Sequence, residues 1–352
     1  MVDIAGATRL SKAARPLSGG VGEARPSGRD STAFRALSLG VFVGLVYLLV
    51  VGAFQFRFTQ TDYAHHIFMA DAFLHGQFHV RAEVLEAQRK SVADKVNRAL
   101  DDSEKATGTR FSAEKRAELV HDITRDVVNA DWAIIDGHYY GYWAPFTAVV
   151  AMPFVALIGV GVSDQVLSAL LGAINIGLFY WLLRRVHDVG LCRTTEACRI
   201  GLTILLAFGT SHFWQVCTSQ VWFTVQVVTM MCMLAALIAA LAPTNTRWSV
   251  LLSGVWFGAA ILSRNIAIVM GLFFVVLWWI RSDLPRLARW REMVVRVLIF
   301  AIPIAIAVGL QFYYNYARFG DPLESGLDLQ IRTGGHAHFQ ADYHSHGIFS
   351  LV

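Results

Sequence analysis

Long apolar blocks, separated by basic or polar connections, set the rhythm of this chain. A helix needs about 20 apolar residues to cross a bilayer, and Leu37 to Phe56 supplies them without a break. Further candidate spans are Phe146 to Val162, Gln165 to Leu183, Ile200 to Phe213, Val221 to Leu241, Val250 to Leu262, Ile266 to Ile280 and Val297 to Tyr314. The stretch Ser249 to Ile280 is too long for one straight span, and the polar trio Ser263-Arg264-Asn265 splits it into a helical hairpin.

Basic residues orient these spans, because short cytoplasmic loops collect Lys and Arg. Three segments qualify: the N-tail with Arg9, Lys12, Arg15, Arg25, Arg29 and Arg35; the segment with Arg184, Arg185, Arg193 and Arg199; and the segment with Arg281, Arg286, Arg289, Arg291 and Arg296. If every candidate crossed, the first two would face opposite sides. Phe146 to Val162 is the weakest, following Pro145 and holding Pro153, Gly159 and Gly161. It is read as re-entrant or interfacial on the outer side. The expected fold is an all-α polytopic membrane bundle of about seven transmembrane helices with its C-terminus outside. Its parts are a disordered basic cytoplasmic tail (1–35), a first span (36–56), a large outer loop (57–145), the bundle (146–315) and an outer tail (316–352).

The outer loop has its own helical pattern. Leu85, Val92, Val96 and Leu100 recur at helical spacing within Glu83 to Leu100. After the break at Thr107-Gly108-Thr109, Ser112 caps a second helix with Glu114 in its first turn and an apolar stripe through Leu119, Val120, Ile123, Val127 and Ala130. From Arg57 to Tyr142 there are 11 Lys/Arg and 14 Asp/Glu. The prediction is a charged helical platform on the outer surface; a plain solvated decoration of the loop fits most of those charges as well.

Composition agrees. Apolar residues make up 55% of the chain and charged residues 16%, against about 25% charged in soluble domains. Mean hydropathy is +0.47. A water-soluble globule, a disordered chain and a collagen-like fibre are excluded. The net charge of +4 does not suggest nucleic acid. Cys192, Cys198, Cys217 and Cys232 sit in or beside apolar runs without zinc-finger spacing, and read as small buried or lipid-facing residues.

Candidate chemistry begins just after the first span, in Arg57-Phe-Thr-Gln-Thr-Asp62-Tyr63-Ala-His65-His66. A carboxylate at the membrane boundary suits a general base for a hydroxyl nucleophile. Asp62 capping a helix over Tyr63 to Leu74, or pairing with Arg57, explains the same residue without catalysis. Arg264 sits between two apolar helices, where a guanidinium is costly unless it is paired or reaches an interface; it suits phosphate, and snorkelling to lipid headgroups is the plain alternative. Arg318 is a second such residue, an ordinary boundary arginine on the plain reading. His65, His66, His75 and His79, with His336, His338, His344 and His346, leave a divalent metal site open on weak spacing, with solvated loop histidines favoured. Trp214, Gln215, Trp222 and Gln226 suit a stacked sugar, and an aromatic belt equally.

The order of several motifs resembles one family. Asp62-Tyr63 beyond the first span, followed by a helix with Ala70, Ala72 and Leu74 and then Gly76-Gln77, resembles the start of the GT-C superfamily of integral membrane glycosyltransferases. It is most similar to the dolichyl-phosphate-mannose–protein mannosyltransferase-like and lipopolysaccharide-core group. Gly137-His138-Tyr139-Tyr140-Gly-Tyr142-Trp143-Ala-Pro145-Phe146 resembles that group's entry into a juxtamembrane helix, with Ala144-Pro145 where the family has a proline pair. Ser263-Arg264-Asn265 resembles a Ser-Arg-Pro-like hairpin tip. The stretch from Tyr314-Asn315 to Arg318-Phe319-Gly320-Asp321-Pro322 and Gly326 resembles the segment after the family's seventh span. The resemblance runs from Asp62 to Gly326.

It implies transfer of a sugar from a polyprenyl-phosphate donor to a hydroxyl acceptor on the outer face of the inner membrane, with Asp62 as base and no nucleotide fold. Beside it, our reading of the residues has Arg264, Asn265 and Arg318 hold the phosphate, and Tyr63, His66 and Tyr139 shape the pocket. The family usually continues past the point where this sequence stops, so a truncated member is expected. Two rivals stand: a transporter or flippase of lipid-linked or small polar solutes, and a non-catalytic membrane scaffold.

Overall fold

The computed structural model describes residues 28–55, 58–242, 246–282, 284–327 and 329. Along these the chain forms α1 (Gly28–Gln55), α2 (His65–Leu74), α3 (Ala82–Thr107), α4 (Ala113–Asn129), the strands β1 (Trp132–Ile135) and β2 (His138–Gly141), α5 (Phe146–Ile158), α6 (Asp164–Asp188), α7 (Glu196–Gly209), α8 (Ser211–Thr218), α9 (Gln220–Ala240), α10 (Arg247–Ile261), α11 (Gly271–Ile280) and α12 (Arg286–Phe319). The N-tail before residue 28 and the histidines of the C-terminal tail lie outside the described residues.

Helices α1, α6, α9 and α12 are long and apolar enough to cross a membrane, and α7–α8, bent by 50°, make a fifth span if counted as one. The count of seven is not confirmed. Helix α10 has 15 residues, and α11 has ten behind a 3-10 turn over Asn265–Met270. At about 1.5 Å per residue, neither helix by itself covers a hydrocarbon core of about 30 Å. The expected span Ile200 to Phe213 breaks at Thr210, whose hydroxyl accepts the His212 N–H at 3.2 Å and starts a new helix.

One element was not expected. Trp132–Ile135 and His138–Gly141 pair antiparallel, so the fold is all-α with one small hairpin. Asp136 (φ 49°) and Gly137 (φ 79°) supply the two consecutive positive φ angles of a tight hairpin turn. Asp-Gly is the usual sequence mark of such a turn, and it was overlooked between apolar residues.

The bundle has two distinct ends. At one, the chain leaving α1 returns to the head of α6: Gln60 Nε2 donates to the carbonyls of Val160 and Val162 at 2.8 and 3.1 Å. The hairpin tip lies at that end too, since Phe146 N–H donates to the Leu262 carbonyl at 3.0 Å. So does the end of α12, where the Arg318 guanidinium donates to the Gly141 carbonyl. At the opposite end Arg35 meets Glu196 at 2.6 Å, Tyr180 donates to Glu196 at 2.5 Å, and Arg281 donates to the Ala240 carbonyl at 2.8 Å. Arg35 and the described parts of the other two arginine-rich segments therefore share one end, called here the arginine end. Helices α2 to α4 and the hairpin sit at the other, the platform end. Helix α5, 13 residues ended by Gly159 (φ 85°), lies between two chain passages at the platform end.

Small residues let the long helices meet. On α1, Gly40 and Gly44 face Ala173 of α6, and Gly177 faces the Ala36 carbonyl. On α10, Gly254 and Gly258 lie against Phe300, Pro303 and Ala307 of α12. Both pairs are Gly-x-x-x-Gly, the spacing that brings helix backbones close in membranes. Buried polar groups bond across helices, Asn175 to the Val227 carbonyl at 3.0 Å and Ser253 to the Ala236 carbonyl at 2.9 Å.

A methyl group at Gly254 would lie 2.7 Å from the Phe300 carbonyl oxygen, whereas one at Gly309 meets nothing within 4 Å. Gly254→Ala should therefore cost about 1–3 kcal/mol. Gly309→Ala, in the interior of the same α12, should be neutral or gain up to about 1 kcal/mol. Thermal unfolding of the two variants in one detergent checks the contrast.

Candidate functional site

A short extended stretch carries the platform end. Thr59, Gln60 and Thr61 follow α1 without regular structure, yet each is held. Ser163 Oγ donates to the Thr59 carbonyl at 3.0 Å while capping α6 by accepting the Val166 N–H. The holding group for Thr61 is Asp164, 3% exposed at the head of α6. Thr61 N–H donates to Asp164 Oδ1 at 2.8 Å, Thr61 Oγ1 to Oδ2 at 2.5 Å, and Ser219 Oγ to Oδ2 at 3.4 Å. Ser219 (φ 56°) and Gln220 (φ 71°) are both left-handed, a strained pair joining α8 to α9.

That clamp fixes Asp62 one residue further on. Asp62 does not cap α2. The N-cap is Ala64, with no side-chain bond, and the Asp62 carboxylate instead meets Lys95 Nζ of α3 at 2.5 Å. Its carbonyl accepts Gln88 Nε2 at 3.0 Å. Arg57, the partner weighed from the sequence, lies outside the described residues. Asp62, Gln88, Lys95 and Arg98 line a cavity of about 350 Å³ between α3, the stretch 59–62 and Val160-Gly161. Lys95 and Arg98 stand one helical turn apart, so both cations can reach a ligand beside the carboxylate.

A second group of side chains adjoins this one. Tyr63 packs on Trp222 (ring centres 5.1 Å) and stacks on His65 (6.2 Å), which stacks in turn on Trp132 (4.2 Å). Burial, then the carboxylates of Asp62 and Asp131, push the Tyr63 phenol upward. Burial and Asp131 do the same to Tyr142, and Arg264 opposes them. Tyr142 Oη donates to Asp131 Oδ1 at 3.4 Å. Asp131 itself has φ 60°, strain of the kind that gathers at functional positions. Asp131 thus acts on both tyrosines, with Asp62 beside it at Tyr63 and Arg264 opposing it at Tyr142. The cation in contact with Asp62 is Lys95, and the cavity around Asp62 does not include Arg264.

The remaining sequence candidates divide. Arg318 is buried, its guanidinium given to the Tyr314 and Gly141 carbonyls and Asn315 Oδ1 and lying 3.7 Å from the centre of the Tyr314 ring. It fastens α12 to β2 and has no face turned to a ligand. Asn265 is exposed at the first residue of the 3-10 turn. Tyr139 is not in the lining of the Asp62 cavity; it accepts from Arg89 at 3.2 Å and donates to Asn129 at 2.7 Å in the cleft between α3 and α4. His66 is buried, its Nε2 donating to the Val221 carbonyl at 3.2 Å and its Nδ1 without a partner. Among the described residues no group of three His, Cys, Asp or Glu is arranged to hold a metal ion. His79 packs at a tilt against His138 (ring centres 4.4 Å) and His75 bonds the Asp71 carbonyl.

Sequence reasoning missed Asp164, Asp131, Lys95 and Arg98. An acid at the first turn of an apolar span was a usable mark for Asp164. The partnership of Lys95 with Asp62 crosses 33 residues and left no local trace. No known protein family, curated protein or solved structure matches this chain.

Asp164→Ala should leave the Thr61 N–H, the Thr61 hydroxyl and the Ser219 hydroxyl without their acceptor. The expected loss is about 3 kcal/mol, read by denaturant unfolding in micelles; a loss under about 0.5 kcal/mol would show that the clamp carries little. Burial, then neighbouring His65, lower the His66 pKa to about 3, against about 6.5 in the unfolded chain. Between these values the unfolded state binds the extra proton, so stability should fall as pH drops from about 6.5 toward about 3. The melting temperature should track that window, and less steeply in His66→Gln.

Proposed function

We propose that the protein is a polytopic membrane glycosyltransferase of GT-C type, moving one sugar from a polyprenyl-phosphate donor to a hydroxyl acceptor of the cell envelope. The observation that carries the reading is the surroundings of Asp62. A carboxylate stands in a cavity of mixed polar and apolar lining directly after the first long apolar helix, with two cations of α3 in the same lining. The positive-inside rule assigns the arginine end to the cytoplasm, and the platform end to the outer face of the inner membrane.

Asp62 acts as general base. It takes the proton of the acceptor hydroxyl as that oxygen attacks the anomeric carbon, and the bond from that carbon to the phosphate oxygen breaks. Attack opposite the leaving group inverts the centre. The departing polyprenyl phosphate gains negative charge, which a nearby cation stabilises. Lys95 and Arg98 lie in the cavity with Asp62, so they take this role ahead of Arg264, which the sequence favoured. Arg264 and Tyr142 shape the adjoining rim, and Tyr63 with Trp222 offers an aromatic face on which a sugar can stack. The donor is itself lipid-borne, so an enzyme fixed in the membrane meets it without extracting it.

Asp62→Asn should reduce sugar transfer about 10²–10⁴-fold while the melting temperature stays close to the parent's. Transfer from radiolabelled polyprenyl-phosphate sugars to envelope lipids and glycans, in membranes carrying each form, is the measurement. Turnover retained by the variant would refute the base assignment.

A further inference from the structure

The platform helices carry a second, larger and open cleft that the reaction above does not use. It measures about 1070 Å³ and runs between α3 and α4. Two antiparallel amphipathic helices would normally close on each other. Here Arg116 ties α4 to Asn97, Asp101 and Glu104 of α3, and beside that contact small residues, Ala93 on α3 and Ala113, Ala117 and Val120 on α4, leave a groove open to solvent. Apolar walls without contact partners forfeit dispersion energy, so a ligand with an apolar portion gains by entering.

Charge is sorted around that apolar floor. Acids outnumber bases in the loop from Arg57 to Tyr142, 14 to 11. The lining nevertheless holds Arg89, Lys90, Arg116 and Arg125 against a single acid, Glu86. The carboxylates that pair with Arg116 and Arg125, among them Asp101, Glu104, Asp122 and Asp126, lie outside the lining. Lys90 and His121, from the two facing helices, form no hydrogen bond or ion pair among the described residues. The Thr124 hydroxyl in the lining is shielded from solvent and has no partner. Cations rimming an apolar floor define complementarity to one chemical class.

We infer that the α3–α4 cleft binds an amphipathic anion, an apolar chain ending in a phosphate or carboxylate. The chain lies along Ala93, Ala117 and Val120, and the anionic head is taken by Lys90 with Arg89 or Arg125. Guanidinium and ammonium groups bind such oxyanions through charge-assisted hydrogen bonds. The inference stands apart from the transferase reading, since it asks only for binding and involves neither Asp62 nor the cavity around it.

The test uses the full chain in phosphatidylcholine nanodiscs with octyl phosphate as probe, read by calorimetry. Inorganic phosphate and octanol are the two half-ligands. Octyl phosphate should bind at least about tenfold more tightly than either, a difference of about 1.4 kcal/mol or more. Lys90→Glu, which reverses an unpaired charge, and Ala117→Trp, which fills the floor, should each weaken binding by about tenfold or more. Lys115→Glu, on α4 but outside the lining, should bind as the parent does. Equal binding of octyl phosphate and octanol would overturn the inference. So would octyl phosphate binding that neither variant alters. Inorganic phosphate binding as tightly as octyl phosphate would overturn the amphipathic ligand in favour of a soluble anion.

Discussion

A buried carboxylate governs how the platform end is put together. Asp164 forms no ion pair among the described residues, yet it is almost fully removed from solvent. Burying a charge that way is expensive unless donors replace the water it gives up. Here they come from two separate parts of the chain: the stretch leaving α1 and the left-handed turn between α8 and α9. The head of α6 adds the favourable end of a helix dipole. Satisfying one carboxylate therefore fastens three chain passages at a single point. Everything beyond Thr61 inherits its position from that point: the Asp62 side chain, the tyrosine next to it and the helix that begins at His65.

The interior of the bundle is built on the opposite principle. Within hydrocarbon the hydrophobic effect gives no reason for helices to associate, so contact area and backbone proximity must do it. Gly40 and Gly44 on α1, and Gly254 and Gly258 on α10, supply that proximity, with a few bonds such as Asn175 to Val227 added. Polar chemistry is then left to the ends, where water and headgroups are within reach. The arginines of the connections between spans collect at one end, and the carboxylates Asp62, Asp131 and Asp164 lie at the other, among the mixed acids and bases of the platform.

Features with a local physical cause were legible in the sequence. Ser112 accepts the Lys115 N–H and starts α4, and Gly108 with φ 70° ends α3, because capping needs only neighbours along the chain. The trio Ser263-Arg264-Asn265 does interrupt the apolar run, since α10 ends at Ile261 and a new turn opens at Asn265. What the sequence could not convey was the length lost at such breaks. Thr210 bends one expected span, and the 3-10 turn shortens another, because hydroxyls that bond backbone compete with a continuous helix. The site was legible only as far as Asp62. Its partner Lys95, the strained Asp131 and the clamp Asp164 reach it through folding, and Arg318 shows the reverse error: a boundary guanidinium that looked available for phosphate is consumed by the Gly141 carbonyl and its neighbours.

The ion pair between Asp62 and Lys95 is the element best suited to respond to a ligand. Its side chains are 35% and 41% exposed, so water screens the attraction and the pair is worth no more than about 1 kcal/mol. Asp164 differs in kind: enclosed and held by several donors, it is costly to disturb. A weak pair set one residue beyond a strong clamp gives a carboxylate fixed in place at the backbone but loosely held at its tip. An anion entering the cavity can draw the Lys95 ammonium toward itself at small cost and release the Asp62 oxygen, while Thr61 stays where it is. Reversing the two, with the strong contact at Asp62 and the weak one at its support, would yield a carboxylate that is positioned only when it is blocked. On the proposed transferase reading, the order found along residues 61 and 62 lets a bound phosphate and a free carboxylate exist at the same time.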